Sequence, residues 1–261
     1  MLDVKDLHVR FHGSDHDAVC GIDLHMDAGE RLGLVGESGS GKTVTAMTIS
    51  GLLQRSAADV RGEVQFDGTD LLRCSREELR HVQGAKIGVV FQEPMTSLNP
   101  LMKVGRQIEE TLAIHTKTPP AERRQRALAA MEKVGLPDVG ETYEKYPHQL
   151  SGGQRQRAII ASAALIHPKL LICDEPTTAL DVTVQAQILA LLKKLNEDSG
   201  MGLLLISHDL SGVRRLCTRV AVMQKGHIVE TGEVEQIFRA PQHEYTQQLI
   251  ASIPTRRKHH E

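Results

Sequence analysis

Four short runs of aliphatic residues punctuate the chain: Leu32-Gly33-Leu34-Val35, Ile87-Gly88-Val89-Val90-Phe91, Leu170-Leu171-Ile172-Cys173 and Leu203-Leu204-Leu205-Ile206. None alternates with polar residues as a half-wet strand does. Each therefore predicts a strand covered on both faces, the state of parallel strands flanked by helices. Helical spacing fills the gaps. Residues 183–196 carry Ile188, Leu191, Leu192 and Leu195 on one face. Residues 121–134 are charged and amphipathic, with Gly135 as the stop. Residues of about 2–35 and 62–67 read as further strands, which predicts an antiparallel flap beside the main sheet. Between Gln92 and Leu170 no strand pattern occurs, so that stretch is predicted to be a mainly helical lobe inserted into an α/β core. No internal repeat or low-complexity tract is visible.

The chemistry lies just past the end of each run. The first enters a glycine-rich turn, the second reaches Gln92, the third Asp174-Glu175, the fourth Ser207-His208-Asp209. Ligands of open α/β sheets bind beyond the carboxyl ends of the strands. Four such endings predict one site along that edge.

Gly36-Glu37-Ser38-Gly39-Ser40-Gly41-Lys42-Thr43 fits the spacing Gly-x-x-x-x-Gly-Lys-Ser/Thr between a strand and a helix. Glycines let backbone N–H groups curl around phosphate oxygens, and a helix N-terminus favours the anion. Lys42 is expected to bridge β- and γ-phosphates, and the Thr43 hydroxyl to ligate Mg²⁺. Asp174, at the tip of a buried strand, is expected to hold the metal's water shell. Glu175 is then placed to orient or deprotonate an attacking water.

A second helix start, Leu150-Ser151-Gly152-Gly153-Gln154-Arg155-Gln156-Arg157, also invites an anion. A capping box accounts for Ser151 and Gln154. It does not account for two glycines in the first turn, each costing up to about 1 kcal/mol relative to Ala in a helix interior. Bare backbone there suits close approach by a ligand. One nucleotide's phosphates are already wrapped by the first loop, so the second surface is expected to serve a nucleotide held by another subunit.

Composition narrows the classes. The 261 residues carry 31 Lys+Arg and 33 Asp+Glu, a formal charge of −2, which speaks against a dedicated nucleic-acid binder. With 3% aromatics and no Trp, base-stacking platforms are not expected either. Arg123-Arg124, Arg214-Arg215 and Arg256-Arg257-Lys258 read as solvated faces and a tail. No apolar run approaches the roughly 18 residues of a membrane span. Met1–Asp6 lacks the cationic and apolar regions of a signal peptide, predicting a soluble intracellular chain. Cysteines 20, 74, 173 and 217 stand singly, without metal or redox spacing, and read as reduced thiols.

Taken in order, the phosphate loop, Gln92, Leu150-Ser151-Gly152-Gly153-Gln154, Asp174-Glu175, Ala179-Leu180-Asp181 and His208 resemble the ATP-binding cassette ATPases over nearly the whole chain. Phe91–Pro100, Asp174–Gln185 and His243–Leu249 are similar to the oligopeptide/dipeptide/nickel importer branch. The resemblance implies a P-loop NTPase (RecA-like) α/β core with an N-terminal antiparallel β-subdomain and an inserted α-helical subdomain bearing the Ser151–Gln154 motif. It places the ATPase core at about 1–92 and 168–240, the helical subdomain at about 93–167 and a short tail at about 241–261. It further implies ATP and Mg²⁺ as cofactors, and a head-to-tail dimer with a copy or a paralogue, each ATP lying between one phosphate loop and the partner's Ser151, Gly152, Gly153 and Gln154. Gln92 would contact Mg²⁺ and the γ-phosphate and couple the site to two membrane permeases. His208 would contact the γ-phosphate, and Asp181 would act across the dimer. Phe11, 25 residues before Gly36, is the candidate to stack on adenine. The chain would work at the cytoplasmic face of the membrane, fed indirectly by an extracytoplasmic solute-binding protein.

Many peptide-importer relatives carry a longer C-terminal extension with closely spaced cysteines for an iron–sulfur cluster. The scattered cysteines here predict no cluster, and the shorter chain leans toward nickel-type or short peptide-type members. His243 and the His259-His260 pair are not expected to bind nickel, because cargo selection belongs to partners. Two rivals differ in kind. A non-transport cassette ATPase needs a coiled-coil insertion, zinc modules or two cassettes in one chain, and a regulatory subunit binds ATP without hydrolysing it. Neither matches a single short chain with a full set of motifs.

Overall fold

The structure, a computed structural model, describes residues 1–91 and 97–253. Strands β1 (Leu2–Phe11), β2 (Val19–Met26), β4 (Ala58–Phe66) and β5 (Thr69–Asp70) form an antiparallel sheet in the order β2-β1-β4-β5. This is the flap. Strands β3 (Arg31–Val35), β6 (Ile87–Val90), β7 (Leu170–Asp174), β8 (Gly202–Ser207), β9 (Arg219–Gln224) and β10 (His227–Glu233) form the main sheet, in the order β10-β9-β3-β8-β7-β6. Pairing is parallel from β9 through β6, and β10 runs antiparallel on the edge. β3 thus belongs to the main sheet, and the N-terminal strands divide between the two sheets after Met26.

Why the core strands lack polar alternation is visible in where their side chains go. Along β7, Leu170 and Ile172 enter the core shared with the flap, whereas Leu171 and Cys173 enter the core shared with the helices. Along β8, Leu204 and Ile206 take the first side and Leu203 and Leu205 the second. Both faces are dry, so both must be apolar.

Helix α1 (Lys42–Ile49) follows β3, and α2 (Arg76–Val82), opened by a Ser75–Glu78 capping box, precedes β6. The predicted helical stretch contains α3 (Val104–His115), α4 (Pro120–Lys133), α5 (Val139–Glu144), a 3₁₀ turn (Pro147–Gln149) and α6 (Gly152–Ala164), with no strand among its described residues. α4 begins on Pro120, one residue before its predicted start, and gives way to the predicted stop, Gly135, at φ 74°. Helices α7 (Val182–Ser199), α8 (Leu210–Leu216), α9 (Val234–Arg239) and α10 (Glu244–Ala251) complete the chain. α7 exceeds its predicted span at both ends because Asp181 accepts the Val184 N–H at one and Gly200 turns left-handed at the other. Among the described residues no helix is long and apolar enough to cross a membrane.

Candidate active site

Strands β3, β8, β7 and β6 are consecutive neighbours running the same way, so their carboxyl ends lie side by side. The predicted edge is therefore a real juxtaposition. At β3 the chain enters the glycine loop, which is wedged between two carbonyls. A Cβ on Gly36 would stand 2.1 Å from the Met223 oxygen of β9, and one on Gly41 would stand 2.5 Å from the Ala18 oxygen of the flap. Gly41 also serves as the N-cap of α1 at φ 105°, where a side chain is strained.

Lys42 lies almost wholly buried beneath the loop. Its ammonium donates to the carbonyls of Gly36 and Glu37, both at 2.8 Å. Burial pulls its pKa below the ordinary value, opposed by the negative charges of Glu175, Asp174 and Glu37. Beside it, Asp174 is 6% exposed. Burial pushes its carboxyl up from the ordinary value, while a hydrogen bond from the Thr43 hydroxyl and the charge of Lys42 work the other way. Asp174 Oδ1 is buried with no hydrogen-bond partner among the described residues. An unpartnered carboxylate oxygen next to a threonine hydroxyl is a hard-oxygen donor set, which fits Mg²⁺.

Glu175 sits one residue on, at φ 51°. Its N–H donates to Ile206 in β8 at 2.9 Å, pinning the turn to the neighbouring strand. Its carboxylate accepts the His208 N–H at 3.1 Å and the Thr178 hydroxyl at 3.0 Å, and pairs with His208 Nδ1 at 2.7 Å. The His208 side chain is 64% exposed against 10% for Glu175, so the pair has one buried and one open end. That arrangement suits a carboxylate that handles a proton and a histidine that meets what arrives from outside. Thr178 was not singled out from the sequence; its place three residues after Glu175 was the signal.

The second helix start behaves in two ways. Ser151 and Gln154 do form the capping box, Oγ accepting from Gln154 N–H at 3.3 Å and Oε1 from Ser151 N–H at 3.0 Å. Ser151 and Gly152 are exposed, and space beside Gly152 is open to ordinary contact with Leu180 at 3.4 Å. Gly153 has a reason inside the chain, because a Cβ there would stand 2.8 Å from Val184 Cγ1 on α7. The expectation that both glycines are kept bare for a ligand is thus narrowed, since packing of α6 against α7 already requires one of them. Asp181 caps α7. Phe11 ends β1 opposite Ala58 and packs, part-buried, against the flap core. Gln92 and the His259-His260 pair lie outside the described residues.

Residues 19–178 match the family model described as ABC transporter. The chain belongs to the ABC transporter family. Residues 229–261 of this cassette match the model described as oligopeptide/dipeptide transporter, C-terminal region, and so place it in the oligopeptide/dipeptide branch. It is 49% identical to the oligopeptide transport ATP-binding protein OppD of Bacillus subtilis (strain 168), over 98% of this chain and 72% of that one. The dipeptide transport ATP-binding protein DppD of Lactococcus lactis subsp. cremoris is 47% identical over 98% of this chain and 74% of its own. Among solved structures, a dimeric post-hydrolysis state of an ATP-binding cassette bound to ADP and Pi superposes with a TM-score of 0.80, at 30% identity over 90% of this chain and 99% of that one. The cassette is accordingly an ATP-binding and ATP-hydrolysing subunit of an importer, with the fold of the ABC ATPases.

Proposed function

We propose that this cassette energises uptake of peptides across the cytoplasmic membrane, as one of two ATPase subunits bound peripherally to the cytoplasmic side of two permeases. An extracytoplasmic solute-binding protein would deliver the cargo. Relatives named for oligopeptide, dipeptide and glutathione import support the peptide class. Residues 93–167 would form the lobe that meets the permeases, with Gln92 at its root.

The observation that carries the mechanism is the meeting of Lys42, Thr43, Asp174, Glu175 and His208 at one sheet edge. Backbone N–H groups of the loop wrap the β- and γ-phosphates, and Lys42, already seated on the Gly36 and Glu37 carbonyls, neutralises them. Thr43 and Asp174 would hold Mg²⁺, which supplies charge neutralisation on the phosphate oxygens. Glu175 orients and deprotonates the attacking water, and His208, fixed by Glu175, reaches the γ-phosphate. Ser151, Gly152, Gly153 and Gln154 of a second cassette close over the same triphosphate, with Asp181 contacting across the interface and Phe11 against adenine. Contacts on both sides of the γ-phosphate favour the closed dimer, and hydrolysis removes them.

Glu175→Gln tests this directly. A general base contributes roughly 10²- to 10⁴-fold, so steady-state hydrolysis should fall at least about 100-fold. ATP should still bind, and a dimer should accumulate with ATP in sedimentation. Turnover near that of the unaltered chain, with its partner supplied, removes Glu175 from the role of base.

A further inference from the structure

The phosphate loop has one anchor that no motif assigns. The N–H of Glu37 donates to the hydroxyl of Tyr245 at 2.9 Å, across 208 residues of sequence. Tyr245 opens α10 and is 4% exposed. Its own backbone is tied down, its N–H donating to His243 Nδ1 at 3.2 Å. Just before it, Glu230 of β10 accepts the N–H groups of Gln242 at 2.8 Å and His243 at 3.1 Å. The segment that carries the hydroxyl is thus tied to the main sheet independently of the loop.

The peptide it touches is the one that matters. The Glu37 N–H and the Gly36 carbonyl belong to a single planar unit, so fixing one end fixes the other. That carbonyl is half of the seat of the Lys42 ammonium, at 2.8 Å. With glycine on one side, this unit lacks the side-chain barrier that resists a peptide flip. We infer that Tyr245 is a positioning residue for ATP binding: its hydroxyl locks the Gly36–Glu37 peptide, so that the loop and Lys42 are already arranged when the triphosphate arrives. The inference rests on the loop being the triphosphate site. It gives the C-terminal segment a role in the nucleotide site from which it is remote in sequence. Preorganised groups bind without first having to be ordered, so the benefit appears in binding rather than in the chemical step.

Tyr245→Phe removes the hydroxyl alone. One hydrogen bond's worth of order should raise Kd and KM for ATP about three- to tenfold while kcat stays within about twofold. Tyr143→Phe is the control. It deletes an equally buried hydroxyl, which donates to Glu109 at 2.9 Å in the helical lobe, and should lower the denaturation midpoint without moving KM. Hydrogen exchange of the Glu37 amide in the unaltered chain supplies a readout that needs no variant. A protected amide is expected, exchanging faster in Tyr245→Phe. Kd and KM within about twofold of the unaltered chain in Tyr245→Phe, or a Glu37 amide that exchanges as freely as an exposed one, overturns the inference. Lys42→Ala separates the two readings. If it leaves ATP binding and hydrolysis intact, the loop assignment fails; if it abolishes them while Tyr245→Phe is silent, only the role of Tyr245 fails.

Discussion

Two adjacent carboxylates, Asp174 and Glu175, are given different work by their surroundings. Asp174 keeps one oxygen without a partner among the described residues and answers to Thr43, whereas Glu175 is held by His208 and Thr178 from the sides. Roles for both were expected from the sequence because the acidic pair follows four apolar residues in a chain that also carries a phosphate loop. What held them was not, since His208 lies 33 residues away and its contact depends on β7 and β8 being neighbours. Surface charge obeys the same local logic. His25 lies between Asp3 and Asp27, and the hydrogen bond to Asp3 first, then Asp27, hold its imidazole above the ordinary 6.5. Asp3 is correspondingly held below its ordinary value, so it stays ionised where His25 charges. A raised folded pKa contributes stability that is complete below the unfolded value and is lost as pH rises through the folded one. The histidine is half-exposed, so the effect is a few tenths of a kcal/mol. His25→Gln should lower the denaturation midpoint at about pH 5.5 and leave it unchanged at about pH 9. An equal loss at both would show that charge is not the cause.

Among the elements, a glycine inside a helix can mark a tight joint. On α3, a Cβ at Gly105 would stand 2.0 Å from Tyr143 Cδ2 on α5. That ring cannot retreat, because its hydroxyl is held by Glu109 and its face lies 4.2 Å from the Arg124 guanidinium. A helical glycine replaced by alanine ordinarily gains about 1 kcal/mol. Here the sign should reverse, with Gly105→Ala costing about 1–3 kcal/mol in urea unfolding through overpacking. A neutral or stabilising result would mean that the joint is looser than these distances require. The span of α4 was legible from periodicity and its stop at Gly135, and that of α7 from periodicity up to Asn196, three residues short of its end. Which helix meets which was not, and Gly153 illustrates the loss. Its bareness reads as an invitation to a ligand until Val184 is seen beside it.

At the scale of the whole molecule there are two cores sharing one sheet, and β7 divides its side chains between them. Leu171 and Ile172 are adjacent, fully buried and on opposite sides. Either one cut to alanine should cost about 2–5 kcal/mol. If the sheet makes the two cores one cooperative unit, Leu171→Ala and Ile172→Ala should each shift a single transition followed by both fluorescence and circular dichroism. Separate melting of the flap in Ile172→Ala would contradict that. The two-sided burial was readable in the unbroken aliphatic runs, and so was the shared edge of the strands. The position of β10 and the reach of Tyr245 were hidden, because each depends on pairings set by the finished fold rather than by neighbouring residues.

The carbonyls of Met223 in the main sheet and of Ala18, next to the flap strand β2, leave no room for a side chain at Gly36 and Gly41. The loop therefore lies in a seam whose two walls belong to different layers. If it holds the triphosphate as proposed, a shear between those layers should strain the cradle and loosen its hold.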